Sequence, residues 1–108
     1  MNVAKLCENA GFVAASIPHP EREVNGAYCG DLLSWVMGRA GEDNAWITIM
    51  SNINVVAVAS LADVACVIIC EDVKLDEEVL NTAKEKEINI LLSSSNAYET
   101  AVKISGMV

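Results

Sequence analysis

Few side chains in this sequence have the types and spacing that catalysis requires. The one histidine, His19, stands between two prolines in a polar stretch that predicts a loop. A general base needs an orienting partner and a rigid platform, and a surface loop supplies neither. The serines at 93–95 precede an expected helix, where hydroxyls usually bond to unpaired backbone N–H groups. Without a Gly-x-Ser-x-Gly, Walker A or Gly-x-Gly-x-x-Gly pattern, the sequence predicts no catalytic residues and no enzyme.

The four cysteines indicate core packing rather than metal or disulfide chemistry. Cys66 and Cys70 flank three aliphatic residues in a run that predicts a buried strand. At about 3.3 Å per residue, their Cα atoms would lie about 13 Å apart, too far for a disulfide or for binding one zinc ion together. We expect all four thiols to be reduced, Cys66 and Cys70 to be buried, and no metal or cofactor to be bound.

The charge balance excludes several classes of partner. Fifteen acidic and seven basic residues give a formal net charge of -8, so we expect neither nucleic acid nor an anionic membrane as a partner. The longest apolar run, 64–70, is far shorter than the roughly 20 residues of a membrane-spanning helix. The acidic residues Asp63, Glu71 and Asp72 are scattered, which is typical of a solvated edge rather than a cation site. No signal-peptide pattern opens the chain, so we expect a cytoplasmic protein.

Hydrophobic periodicity in the second half of the chain predicts alternating strands and helices. The predicted strands are 45–50, 65–70 and 88–92. The predicted helices are 55–63, 76–87 and 96–105, the last opened by an Asn-x-x-Glu capping pattern. Consecutive strand–helix units of this kind build a parallel sheet with right-handed crossovers.

The first half of the chain is less periodic. Asn2 predicts the start of a short helix and Gly11 predicts its end. Asp31 predicts the start of a second helix over 32–37, closed by the glycine at 38 or at 41. Two further strands are expected near 12–16 and 24–29.

Together these elements predict one α/β domain over residues 1–108. We expect a three-layer α/β/α architecture, with a mainly parallel sheet built from consecutive βαβ units. The core is expected to contain the apolar strand residues Ile47, Ile49, Val67, Ile69, Ile90 and Leu92.

The loops that follow the parallel strands are the best candidate for a ligand site. In open parallel sheets, ligands bind beyond the carboxyl ends of the strands, at helix N-termini. These loops carry hydroxyls and amides but little positive charge, which favours a neutral polar ligand, or none, over a phosphate. The candidate ligand-binding residues are Ser51, Asn52, Asn54, Ser93, Ser94 and Asn96.

The apolar segment 32–37 predicts an association surface. Its five apolar residues cannot all be buried by one face of so short a helix, and at 100° per residue positions 32, 35 and 36 cluster. Exposed apolar clusters mark association surfaces, where Trp and Met are favoured; a helix buried on every side is the alternative. A symmetric homodimer is the expected assembly, with candidate interface residues Leu32, Trp35, Val36 and Met37.

The segments GDLLSWVMG (30–38), AWITIMSN (45–52) and VAVA (56–59) resemble the DRTGG domain family, and more closely its small stand-alone members from anaerobic bacteria. The likeness covers almost the whole chain. Other DRTGG domains lie beside CBS domains in the regulatory regions of some inorganic pyrophosphatases and in phosphotransacetylases. The resemblance implies a fold similar to the N-terminal domain of HPr kinase/phosphorylase. That N-terminal domain contains neither the P-loop nor the catalytic chemistry of the enzyme.

The resemblance also implies an accessory or regulatory role, since some stand-alone members are encoded near iron-only hydrogenases and sensor-kinase-like proteins. Where many members carry Gly-Asp-Arg-like and Thr-Gly-Gly-like turns, this chain reads Met-Ser-Asn-Ile (50–53) and Cys-Glu-Asp (70–72). It therefore lacks the arginine and the glycines best suited to a phosphate.

Two functional hypotheses follow. The first is a non-catalytic regulatory or interaction module, homodimeric and accessory to a metabolic or hydrogenase-linked system, whose protein partner the sequence does not name. The alternative is a sensing domain that binds a nucleotide or nucleoside-like molecule at the carboxyl ends of the parallel strands.

Overall fold

Alternating apolar runs and helix signals fold into ten elements. The computed structural model describes all residues from 1 to 108. The helices are α1 (Val3–Ala10), α2 (Leu33–Arg39), α3 (Asn54–Ala62), α4 (Glu77–Glu85) and α5 (Ala97–Ile104). The strands are β1 (Val13–Ser16), β2 (Ala27–Cys29), β3 (Ala45–Thr48), β4 (Cys66–Ile69) and β5 (Ile90–Leu92).

The five strands form one sheet in the order β1-β5-β4-β3-β2. Strands β2 to β5 run parallel, and β1 pairs antiparallel with β5 at one edge. The predicted α/β fold with a mainly parallel sheet is confirmed.

Helices cover both faces of this sheet, which is why its central strands read as continuous apolar runs. Successive residues of β4 point to opposite faces. Cys66 and Ile68 pack in a cluster with α1 and α5, whereas Val67 and Ile69 pack in a second cluster with α2, α3 and α4. The result is the expected three-layer arrangement.

The helix ends that are set by capping residues lie at the predicted positions. Asn2 accepts a hydrogen bond from the Lys5 amide at 2.9 Å at the start of α1. Gly11 ends α1 in the left-handed conformation, with φ of 73°. At the start of α5, Asn96 accepts from the Glu99 amide at 2.8 Å.

Helix α2 differs from its prediction at both ends. Its N-cap is Leu32 rather than Asp31, and it runs through Gly38 to end at Ala40. Asp31 does not cap the helix because its Oδ1 accepts hydrogen bonds from the Thr48 hydroxyl at 2.8 Å and from the Ile49 amide at 3.0 Å. The carboxylate therefore joins the start of α2 to the end of β3.

Four of the six predicted core residues are fully buried, and two are not. Ile49 is 46% exposed, because β3 ends at Thr48 and the chain leaves the sheet there. Leu92, the last residue of β5, is half-buried. Both errors come from placing residues of the carboxyl edge inside the sheet.

The cysteines are free, and the predicted burial of Cys66 and Cys70 is confirmed. Burial raises the pKa of the Cys66 thiol to about 12, so this group packs as an apolar side chain. Cys7 is also buried, and Cys29 is exposed at the end of β2.

Asn89 ties the amino edge of the sheet together. Its side chain is almost fully buried, accepts from the His19 amide at 2.9 Å, and donates to the carbonyls of His19 at 2.9 Å and Ala65 at 3.0 Å. One side chain therefore holds the loop before β2 against the starts of β4 and β5.

Replacing Asn89 with alanine is expected to lower the free energy of unfolding by about 2–3 kcal/mol, because buried backbone groups lose their partners. Urea denaturation followed by the fluorescence of buried Trp46 measures the change. Asn81→Ala is the matched control, since Asn81 is exposed on α4 and its side chain forms no hydrogen bond. The interpretation is wrong if the two variants are equally stable.

Candidate functional site

Four loops meet at the carboxyl edge of the sheet, because β2 to β5 are parallel and end on the same side. The chain leaves β4 for α4 on one face and leaves β5 for α5 on the other. Adjacent loops that diverge to opposite faces create the crevice in which open parallel sheets bind ligands. The gap between the β4–α4 and β5–α5 loops is therefore the position at which this fold predicts a ligand site.

In this protein that crevice is closed by the backbone. The Glu71 amide donates to the Ser95 carbonyl at 2.8 Å, and the Asp72 amide donates to the Ser93 carbonyl at 3.0 Å. Glu71 and Asp72 both adopt the left-handed conformation, with φ of 70° and 56°. The two loops are thus joined to each other and leave no cavity between them.

Half of the predicted ligand-binding side chains at this edge are used by the fold itself. Asn52 accepts from the Asn54 amide at 2.9 Å, and Asn96 caps α5. Ser93 is buried, shares a hydrogen bond of 2.8 Å with the Thr100 hydroxyl, and accepts from the Ser95 amide. These side chains satisfy backbone groups and one another.

The other three predicted side chains, those of Ser51, Asn54 and Ser94, form no hydrogen bond within the chain. Ser51 and Asn54 lie between β3 and α3, whereas Ser94 lies between β5 and α5. The loop after β4 separates the two groups. The structure therefore does not bring the six predicted residues together in one concave site.

Sequence reasoning missed the polar residues that hold this edge in place. Thr48 is buried, donates to Asp31 and accepts from the Met50 amide at 3.1 Å. Trp46 is fully buried and donates from Nε1 to the Gly30 carbonyl at 2.8 Å. The only local indication of these bonds in the sequence is Thr48, a polar residue at the end of an apolar strand. Its partner, Asp31, lies 17 residues away.

The electrostatics of the carboxyl edge favour neither an anion nor a nucleophile. The carboxylates of Asp31, Glu71 and Asp72 lie here, and Lys74 is the one cation among these loops. Cys29 is exposed at the end of β2, but partial burial raises its pKa and the Asp31 carboxylate raises it further. A reactive thiol needs a lowered pKa, so Cys29 is not activated.

His19 lies at the opposite, amino edge, where its backbone bonds to Asn89. Its imidazole is 3.5 Å from the carboxylates of Glu21 and Glu87 and is partly exposed. The loop position predicted from sequence is confirmed.

Helix α2 exposes three of its four predicted interface residues. Leu32 is 59% exposed, Trp35 is 52% exposed and Met37 is 47% exposed, and the Arg39 guanidinium lies 3.8 Å from the centre of a Trp35 ring. The alternative of a helix buried on every side is therefore wrong.

The fourth predicted interface residue, Val36, is fully buried and cannot contribute to a surface. Leu32 precedes the helix in extended conformation, so the 100° rule does not place it with Val36. Leu33, Val36 and Ala40 instead form the inward face of α2.

Glycine is expected to suit positions 71 and 72 better than the acidic residues present, because an L-residue in the left-handed conformation costs about 1–2 kcal/mol. Glu71→Gly should raise the free energy of unfolding by about 0.5–1 kcal/mol, and Glu71→Val should lower it, both measured in urea. Glu42→Gly is the control: Glu42 lies in a turn outside the left-handed region and should lose stability. A lower free energy of unfolding for Glu71→Gly would contradict the interpretation that the backbone at Glu71 is strained.

None of the five helices combines the length and apolar composition needed to cross a membrane. The fold is similar to that of the CBS and DRTGG domains of the regulatory region of Clostridium perfringens pyrophosphatase, solved with its activator diadenosine tetraphosphate, with a TM-score of 0.73 and 14% sequence identity. The match covers 95% of this chain and 45% of that one, so this chain spans less than half of that structure.

No curated protein sequence matches the chain. The sequence model of the DRTGG domain does match it, over residues 27–107, from the start of β2 to beyond the end of α5. This segment contains all four parallel strands and the carboxyl-edge loops described above. The chain therefore belongs to the DRTGG domain family.

Proposed function

We propose that this chain is a non-catalytic regulatory module that self-associates as a homodimer through the exposed apolar surface at α2. The observation that carries the proposal is the exposure of Trp35 and Met37 on the short helix α2 and of Leu32 directly before it. Trp, Met and Arg are enriched at protein interfaces, and Arg39 stacks on Trp35 at this surface.

Charge supports a second copy of the chain as the occupant of this surface. Two copies with a formal charge of -8 each repel one another, so they can approach only where carboxylates are scarce. From residue 32 to residue 62, the only charged residues are Arg39, Glu42 and Asp43. The segment 32–40, which contains α2, therefore carries no carboxylate of its own and offers apolar contact.

Family membership supports the regulatory role. The similar Clostridium perfringens structure is the regulatory region of a pyrophosphatase. Two observations support a role without catalysis: polar side chains of the carboxyl edge such as Thr48 and Ser93 are bonded within the fold, and His19 and Cys29 lie at opposite edges of the sheet. We further propose that the module works in the cytoplasm beside a protein of a metabolic or hydrogenase-linked system, on the strength of the resemblance to stand-alone members.

The second candidate is a nucleotide-sensing domain. It is favoured by the diadenosine tetraphosphate in the regulatory region of the similar structure. The closed crevice and the carboxylates of Asp31, Glu71 and Asp72 oppose a polyphosphate at the carboxyl edge of this chain.

We expect sedimentation velocity at micromolar concentration to show a dimer for the unmodified protein and a monomer for Trp35→Glu, because the new carboxylate would enter an apolar contact. Tyr98→Glu is the matched control, since Tyr98 is an exposed aromatic residue on α5, on the other face of the sheet. Trp35 is half-exposed, so Trp46 fluorescence should show that the variant remains folded. A monomeric unmodified protein, or a dimeric Trp35→Glu variant, would refute the homodimer.

For diadenosine tetraphosphate we expect no saturable rise in melting temperature. A ligand present at 100 times its Kd would add about 2.7 kcal/mol to the free energy of unfolding, which a thermal-shift assay detects. A saturable rise would support the nucleotide-sensing candidate, and hydrogen exchange at the amides of Glu71 and Asp72 would then show whether the crevice opens.

A further inference from the structure

A groove between α3 and α4 is the one cavity in the structure, with a volume of about 330 Å³. This volume falls at the lower end of the roughly 300–1,000 Å³ found for small-molecule sites. The groove exists because α3 presents small side chains, those of Ala57 and Ser60, toward α4. It is lined by the predicted ligand-binding residue Asn54 and by Ile53, Val56, Ala57, Ser60, Leu61, Thr82 and Lys86.

One side of the groove is apolar and open to solvent. Ile53 is 38% exposed and Leu61 is 74% exposed, although both are large aliphatic residues. A molecule in the groove would cover them, and burying apolar surface contributes about 25 cal/mol per Å². This wall favours a ligand with a hydrocarbon part.

The other side carries one positive charge. Lys86 forms no ion pair, because the ion pairs of the chain involve only Met1, His19 and Arg22 as cations. The Ser60 hydroxyl has no hydrogen-bond partner within the chain, and the Thr82 hydroxyl donates to the Glu78 carbonyl at 2.8 Å. The groove is thus lined by a free ammonium from the end of α4 and a free hydroxyl from α3, which match a single carboxylate.

We propose that this groove binds a short-chain acyl carboxylate, with its alkyl chain against Ile53 and Leu61 and its carboxylate at Lys86. One lysine balances the single charge of a carboxylate but not the several charges of a polyphosphate, which a chain with a formal charge of -8 also repels more strongly. The site lies on the side of α3 away from α2 and does not depend on self-association.

Two-dimensional ¹H–¹⁵N NMR titration with hexanoate tests the proposal. Shifts should saturate and be confined to amides of α3 and of α4 around Thr82 and Lys86. Lys86→Gln should weaken hexanoate binding by about 1.5- to 5-fold, the range of an exposed ion pair. Lys84→Gln is the matched control, because Lys84 is exposed on the same helix but does not line the groove. Equal effects of the two variants would overturn the assignment of the carboxylate to Lys86.

Two further measurements test the apolar wall. Hexanol, which keeps the hydrocarbon part without the charge, should bind more weakly and be indifferent to Lys86→Gln. Ala57→Leu should fill the groove and abolish hexanoate binding, while the NMR spectrum shows an intact fold, since Ala57 is exposed. Shifts that spread over the whole protein or do not saturate would refute the site. Hexanoate binding by a monomeric Trp35→Glu variant would show that the groove binds its ligand independently of the homodimer.

Discussion

The central sheet is covered on both faces, so the polar groups at its strand ends must find partners inside the protein. An unpaired buried donor or acceptor costs about 1–3 kcal/mol, and no buried side-chain nitrogen or oxygen lacks a partner. Asn89 meets this requirement at the amino edge. Asp31, Thr48 and Ser93 meet it at the carboxyl edge. The loops between the helices and strands are positioned by these bonds.

The same requirement removes the usual ligand site of an open parallel sheet. Half of the candidate side chains at the carboxyl edge are bonded within the fold, and Glu71 and Asp72 close the crevice with their own N–H groups. The outer sides of the helices offer the other exposed surface of the domain. The exposed apolar residues of α2 and the groove beside α3 are both of this kind.

Sequence reasoning succeeds here where the determinant is local. The 3.6-residue and 2-residue periods, together with caps such as Asn2, Gly11 and Asn96, depend on neighbours within a few positions. It fails where a side chain bonds to a residue that is distant in the sequence. Asp31 serves β3 rather than its own helix, and the six candidate ligand residues scatter because spacing says nothing about which loops bond to each other.

The exposed apolar residues of α2 and α3 have fewer charged neighbours than those of α5. Tyr98 and Val102 are exposed on α5, but Glu99 and Lys103 follow them directly and keep that helix solvated. In the opposite layer α4 is also charged, but no charged residue stands between positions 44 and 62, the segment that contains α3. Six of the ten exposed large hydrophobic residues lie in the stretch 32–61, which contains α2, β3 and α3. In a chain this acidic, such a concentration of uncharged surface favours contact with a partner over contact with water.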